Sequence, residues 1–301
     1  MRRICLIGFL LICFSTLADA QTQELILPVA LNGYTTQPIH YQTTIRISNM
    51  SSSAAEVTLE AYQNDGTAIR ILELFPIARS GTKTVFQIES GGSVEAYTAE
   101  DVPPLNGWIR LTFDSSITIQ ASAEVTLING LVGPKPICTR PSTEILTSVQ
   151  LPALGSAKKF SGFAVIRPFR KSGYAIVNPS TTQSATVFLS LMDFAGRLVA
   201  SNTAEVAPQV RISRFVQEFL PNAPSDFMGT LRITSTIPVV LGGVNVLFPD
   251  GEFTGINVAA SPAVACIQVL AAARNPLTNE CCVFPTPCDI PDGWVRTASC
   301  N

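Results

Sequence analysis

Val57-Thr-Leu-Glu-Ala-Tyr-Gln-Asn-Asp-Gly66 is the stretch that decides the fold class. Val57, Leu59 and Ala61 fall on one side of an extended chain, and Thr58, Glu60 and Tyr62 on the other, the period of a half-buried strand. Asn64-Asp65-Gly66 then closes it with a hairpin signal, because glycine accepts the positive φ that a tight turn requires. The same design returns at Val187-Phe-Leu-Ser-Leu-Met-Asp-Phe-Ala-Gly196.

Working outward, the two stretches belong to two longer segments with the same order of features. Thr43-Thr-Ile-Arg-Ile-Ser-Asn49 matches Gly173-Tyr-Ala-Ile-Val-Asn-Pro179, so that Asn49 aligns with Asn178 and Gly66 with Gly196. Glu100-Asp-Val-Pro103 matches Glu218-Phe-Leu-Pro221, and Trp108-Ile-Arg-Leu-Thr112 matches Thr230-Leu-Arg-Ile-Thr234. Each segment closes on a long β-like run, 117–128 and 237–248. Pro249-Asp250-Gly251 repeats the turn signal, and one helical turn is expected within Ser213–Leu220. Many short strands with regular turns predict an all-β protein of two tandem Ig-like β-sandwich domains followed by a small disulfide-stapled segment. The expected boundaries are 1–20 for a leader, 21–133 for the first sandwich and 134–145 for a linker marked by Gly133-Pro-Lys-Pro136 and Pro141. The second sandwich follows at 146–261, and a cysteine-rich tail at 262–301.

Met1-Arg-Arg3, the apolar run Ile4–Phe14 and Ala18-Asp-Ala20 read as a cleavable signal peptide, which places the mature chain outside the cytoplasm, released or at the cell surface. The run is too short for a bilayer span of about 20 residues, and no later anchor is expected. The net charge of -2 without basic blocks argues against a nucleic-acid partner. Cys5 and Cys13 leave with the leader; Cys138, Cys266, Cys281, Cys282, Cys288 and Cys300 remain, an even set that favours disulfides in an exported chain. Neighbouring Cys281 and Cys282 should bond to different partners. The expected scheme pairs Cys266, Cys281, Cys288 and Cys300 among themselves, with Cys282 bound to Cys138.

Ile176-Val-Asn-Pro-Ser180, Arg214-Phe-Val-Gln-Glu-Phe-Leu-Pro221 and Gly229-Thr-Leu-Arg-Ile-Thr-Ser235 resemble a β-sandwich repeat of secreted proteins from Acidobacteria-like bacteria. That resemblance covers the second copy strongly and the first weakly. It implies an Ig-like or fibronectin-like fold, an extracellular place and a scaffold or recognition role, and it brings no catalytic residues. The segment Cys266–Trp294 is similar to a short cysteine motif at the ends of bacterial secreted proteins. That motif carries glycine where Asn279 stands, and asparagine also tolerates the left-handed conformation.

Residues able to carry chemistry are few. His40 is the single histidine, expected on the surface or in a loop, with no G-x-S-x-G and no C-x-x-C pair to complete a nucleophilic or zinc site. Glu100, Asp101, Glu218 and Asp226 are the acids a glycosidase pair would draw on, and they read as solvated loop residues. Asn49-Met-Ser51 has the form of a glycosylation acceptor. The expectation is a protein that is not an enzyme, needs no cofactor or metal, and meets an extracellular protein or glycan. Secreted hydrolysis is the weakest alternative.

One asymmetry points to a working surface. Aligning Ile119 with Val240 and Leu127 with Phe248 leaves Thr118, Gln120, Ser122, Glu124 and Thr126 on the opposite face of the first copy. The second copy shows Val239, Leu241, Gly243, Asn245 and Leu247 there, and Phe188 and Met192 stand where the first has Thr58 and Tyr62. Phe188, Met192, Val239, Leu241 and Leu247 are therefore the candidate interaction face, to be covered by the first domain, the tail or a partner.

Overall fold

The computed structural model describes residues 21–36, 39–69, 82–97, 105–129, 144–248, 252–261 and 266–300. The expected leader, Cys138, Glu100 and Asp101 lie outside the described residues. The chain is almost wholly β, arranged in three sheets. The first comprises β1 (Thr22–Thr36), β2 (Ile39–Asn49), β3 (Ala55–Gln63), β4 (Ala68–Ile69), β5 (Lys83–Ile88), β6 (Ser93–Tyr97), β7 (Leu105–Asp114), β8 (Ile119–Asn129) and β9 (Glu144–Pro152). Its order is β4-β3-β7-β1-β2-β8-β9, with β5 on β3 and β6 on β2. Strand β1 pairs with β7 through Asn32 and with β2 from Gly33, and its register slips between Leu27 and Ala30. Pro28 sits in that slip, where the missing N–H costs no ladder bond. The sheet thereby folds over itself, enclosing Leu27, Ile45, Val57, Leu59, Leu111 and Ala123.

The second sheet comprises β10 (Ala157–Arg167), β11 (Arg170–Val177), β12 (Ala185–Met192), β13 (Leu198–Val206), β14 (Arg211–Phe215), β15 (Phe227–Leu247), β16 (Glu252–Gly255) and β17 (Val258–Ala260). The 21-residue β15 spans both layers. Its first half lies between β12 and β10, and its second half between β11 and β16. Val187, Leu189, Leu191, Leu231, Val239 and Leu241 fill the interior. The expected helical turn is α1 (Val216–Phe219), whose Glu218 side chain accepts the Phe215 N–H at 2.7 Å.

The two large sheets share one pairing pattern. In the first, β3 lies between β5 and β7, β7 meets β1, and β2 lies between β6 and β8, which adds β9. In the second, β12 lies between β13 and β15, β15 meets β10, and β11 lies between β14 and β15, which adds β16. Asn49 and Asn178, expected to correspond, are both fully buried and bonded alike. Asn49 Nδ2 donates to the carbonyls of Ser53, Ile88 and Glu89, and its Oδ1 accepts the Ser51 N–H. Asn178 Nδ2 donates to those of Gln183, Val206 and Ala207, and its Oδ1 accepts the Ser180 N–H. With its amide enclosed, Asn49 offers no glycan acceptor in the folded chain. The Asn64-Asp65-Gly66 turn forms as expected, with Gly66 at φ +86°.

Three expectations are corrected. Strand β9, placed by the sequence in the linker and second domain, pairs with β8 from Ser122 to Asn129 and so extends the first sheet. His40 is neither exposed nor in a loop; it is buried on β2 opposite Ile128. The alignment of Ile119 with Val240 is one residue out. Ile119 pairs with Asn49 in the register Asn49↔Ile119, Ser48↔Gln120, and the matching register is Val177↔Val240, Ile176↔Leu241. Val240 therefore corresponds to Gln120, and a slip of one residue exchanges the faces of a strand. Among the described residues Cys282 carries a free thiol; its expected partner, Cys138, lies outside them, so that bridge is neither seen nor overturned.

The third sheet is the tail: β18 (Ala271–Arg274) between β19 (Cys281–Phe284) and β20 (Val295–Thr297). Cys266 bonds to Cys288 and Cys281 to Cys300, which is the expected pairing of these four among themselves. Asn279 takes φ +63°, as its place in the motif requires.

Candidate functional site

The candidate interaction face is covered within the chain. Val239 and Leu241 belong to the interior of the second sheet, and Leu247 is half-buried at the end of β15. Phe188 lies under the tail, packed edge-on against Phe284 and Trp294 at 5.5 and 5.8 Å between ring centres. Met192, on the same face, is buried. Asn275 Nδ2 donates to Ser201 Oγ and Lys159 Nζ to the Ile290 carbonyl, fastening the tail to the strands beneath. Of the three expected covers the chain supplies its own: the register slip puts Val239 and Leu241 inside the second sheet, and the tail covers Phe188 on β12.

The truly outward face of the second half of β15 is Val240, Gly242, Val244 and Val246, and it meets the first sheet. Val240 and Val177 pack with Ile26, Tyr62 and Trp108. Gly242 permits the approach: a Cβ there would lie 2.5 Å from Pro28 Cγ. On the first sheet the contact is made by Ile26, Tyr62 and Trp108 of β1, β3 and β7, while Thr118 and Gln120 at the start of β8 stay exposed. Trp108 is fully buried, stacks on Tyr62 at 4.4 Å between ring centres, and donates its indole N–H to the Gln209 carbonyl at 3.1 Å.

Two arginines cross this seam. Arg110 on β7 lies over the Tyr62 and Trp108 rings, donates to the Pro179 carbonyl, and pairs with Glu24 at 3.0 Å. Burial raises the Glu24 pKa, and the nearby Arg110 charge only partly opposes it. Arg211 on β14 reaches the other way. Its Nε donates to Asn64 Oδ1 at 2.7 Å, Nη1 to the carbonyls of Pro28 and Gly107, and Nη2 to Asn106 Oδ1. Its own N–H bonds to the Asn64 carbonyl, so the hairpin turn doubles as a seam element. Burial lowers its pKa to about 10, which leaves it cationic at neutral pH.

Beside Arg211 the seam opens into a cleft of about 370 Å³. Leu31, Val125, Val149 and Leu151 of the first sheet and Val244 and Phe253 of the second form its walls. Ser213, Arg214, Phe215 and Glu218 also line it. A second depression, of about 540 Å³, is lined by polar residues including Thr58, Thr112, Glu56 and Asp114, whose carboxylate accepts from Ser116.

The other proposed chemical residues are structural where they are described. Glu218 caps α1, and Asp226 pairs with Arg167 at 2.9 Å. Among the described residues no group of three His, Cys, Asp or Glu gathers as a metal site would. No helix of the described residues is long and apolar enough to cross a membrane. Sequence reasoning missed Arg211, Arg110 and Gly242. The available signals were a lone arginine between Val210 and Ile212, and a Gly-Gly pair inside a strand, which marks close backbone approach.

Fold and seam define a class: an all-β protein whose two large folded sheets are fastened by buried arginines and whose disulfide-bonded third sheet is laid over the second. Beyond that class, no family model, no curated protein and no solved structure matches the chain.

Proposed function

We propose that this chain is an exported, non-catalytic module, a duplicated pair of Ig-like β-units held as one body to space or present a surface to an extracellular protein. The observation that carries the reading is the use made of its buried charge. Across the seam Arg211 and Arg110 bond to main-chain carbonyls and side-chain amides, and the one carboxylate beside them, Glu24, is held in an ion pair with Arg110. The disulfides of the tail support an oxidising compartment. The matching bonds of Asn49 and Asn178 support a duplication.

The glycan-binding alternative is the weaker one. It relies on exposed aromatic platforms, and both tryptophans are packed, Trp108 in the seam and Trp294 against Phe188 and Phe284. The test is fractionation of cells expressing the full chain with a C-terminal tag, followed by N-terminal sequencing and a hydrolase panel. A mature start near Gln21 outside the cytoplasm, with no turnover, is expected. Retention in the cytoplasm with an intact Met1, or saturable turnover, overturns the proposal.

A further inference from the structure

We propose that the seam cleft binds a slender apolar molecule ending in a single carboxylate, an alkyl carboxylate of medium chain length. The size fits first. Small-molecule sites run from roughly 300 to 1,000 Å³, and this cleft is about 370 Å³. At ~30 Å³ for each water-sized group, it accommodates about a dozen such groups. The walls fit next. Side chains from β1, β8 and β9 on one side and β15 and β16 on the other make a trough of valine, leucine and phenylalanine. The trough is built by strands rather than loops, so it exists before a ligand arrives.

The charge decides the head group. Two arginines, Arg211 and Arg214, line the cleft against one carboxylate, Glu218, whose Oε2 already accepts the Phe215 N–H. Arg211 is almost fully buried and bonds only to neutral oxygens. Among the described residues neither arginine forms an ion pair. A guanidinium has five N–H donors, and the four bonds from Arg211 leave one on Nη2 with no acceptor among the described residues. Arg214 is exposed, lying over the Phe219 ring. A carboxylate there supplies the counter-charge that the seam lacks, and charge-assisted bonds of this kind are about twice as strong as neutral ones. An alkyl cation gains the walls but not the charge, and a sugar-like ligand does not gain the walls.

The test is calorimetric titration of the full mature chain with dodecanoate, kept below its aggregation concentration, alongside dodecanol and dodecyltrimethylammonium. One saturable site for dodecanoate is expected, with dodecanol about tenfold weaker and the ammonium weaker still. Ser213→Trp closes the mouth from an exposed position and should weaken dodecanoate at least about tenfold while the melting midpoint holds. Arg214→Gln should weaken dodecanoate but not dodecanol. Absence of saturable dodecanoate binding overturns the proposal. So does equal binding of the ammonium, or binding unmoved by Ser213→Trp in a folded variant. Export and lack of turnover are read separately, so an exported chain that ignores dodecanoate refutes only this inference.

Discussion

Asn178→Ala should remove the tie that closes the second large sheet. The side chain makes three donations, at 2.8, 2.9 and 3.1 Å, and accepts one N–H at 3.1 Å. The bond to the Val206 carbonyl is fully buried. Orphaning a buried acceptor costs about 1–3 kcal/mol, and each partly buried bond, which water can replace, contributes about 0.5 kcal/mol. The sum is about 3 kcal/mol, which lowers the melting midpoint by roughly 5 °C at this size. Differential scanning calorimetry of the full chain reads it. Asn49→Ala should lose a similar amount, because its one fully buried bond, to Ile88, and its three others have the same arrangement. Asn178→Asp adds a sign. Its carboxylate would face three carbonyl oxygens, which raises its folded pKa above the unfolded value of about 3.9. The acid form can donate one of the lost bonds and the anion none. Stability is therefore greatest below about pH 4 and falls as pH rises through the folded pKa. At neutral pH this variant should be less stable than Asn178→Ala. A loss below about 1 kcal/mol for Asn178→Ala, or an aspartate variant whose stability ignores pH, refutes the reasoning.

Two further outcomes follow from the seam and the tail. The raised pKa of Glu24 means that its contribution is present below the unfolded carboxylate pKa and is lost as pH rises through the folded value, so Glu24→Gln should gain on the native chain between about pH 4 and 7 in thermal melts; a native chain that gains instead would show that the Arg110 pair dominates. Replacing Cys266 and Cys288 by serine opens a loop with a sequence separation of 22 and should destabilise the tail by about 3 kcal/mol, read as faster proteolysis after Arg274 and Arg296; unchanged cleavage would mean that packing on Phe188 alone holds it.

The strands, the turn at Gly66, the correspondence of Asn49 with Asn178 and the pairing among four tail cysteines were legible because each rests on local chemistry. Alternation, a positive φ and an even cysteine set act within a few residues. The face assignment of β15 was not legible to the same degree. Its alternation is apolar on both sides apart from Asn245, which is buried against Ser172, so no polar residue marks the side that meets water, and the shorter passage from Thr234 to Val239 hides the matching register. The asymmetry itself was real: Val240, Gly242 and Val244 stand where the first sheet has Gln120, Ser122 and Glu124. Its cover is the first sheet, reached through contacts such as Trp108 with Gln209 that are distant in sequence and leave no periodic trace. Strand β9 was misplaced for a similar reason. The proline-rich stretch before it reads as a boundary, yet the chain returns to β8 after it.

The balance of forces at the seam explains why its charges matter more for geometry than for stability. Burying a guanidinium costs several kcal/mol, and hydrogen bonds to a charged group return about 1.5–3 kcal/mol each. Four such bonds from Arg211 roughly offset its desolvation, so an apolar side chain of similar volume would serve stability about as well. It would not serve register. The acceptors of Arg211 are Asn64, Pro28, Asn106 and Gly107, drawn from the first hairpin turn, β1 and β7. All four are reached together in one relative placement of the two sheets, and sliding either sheet by one residue would strand a buried cation. The apolar packing of Val240 and Val177 on Ile26 and Tyr62 supplies attraction without such direction. The arginine therefore fixes where the walls of the cleft stand, and the cleft keeps its shape because the cation beside it admits one arrangement.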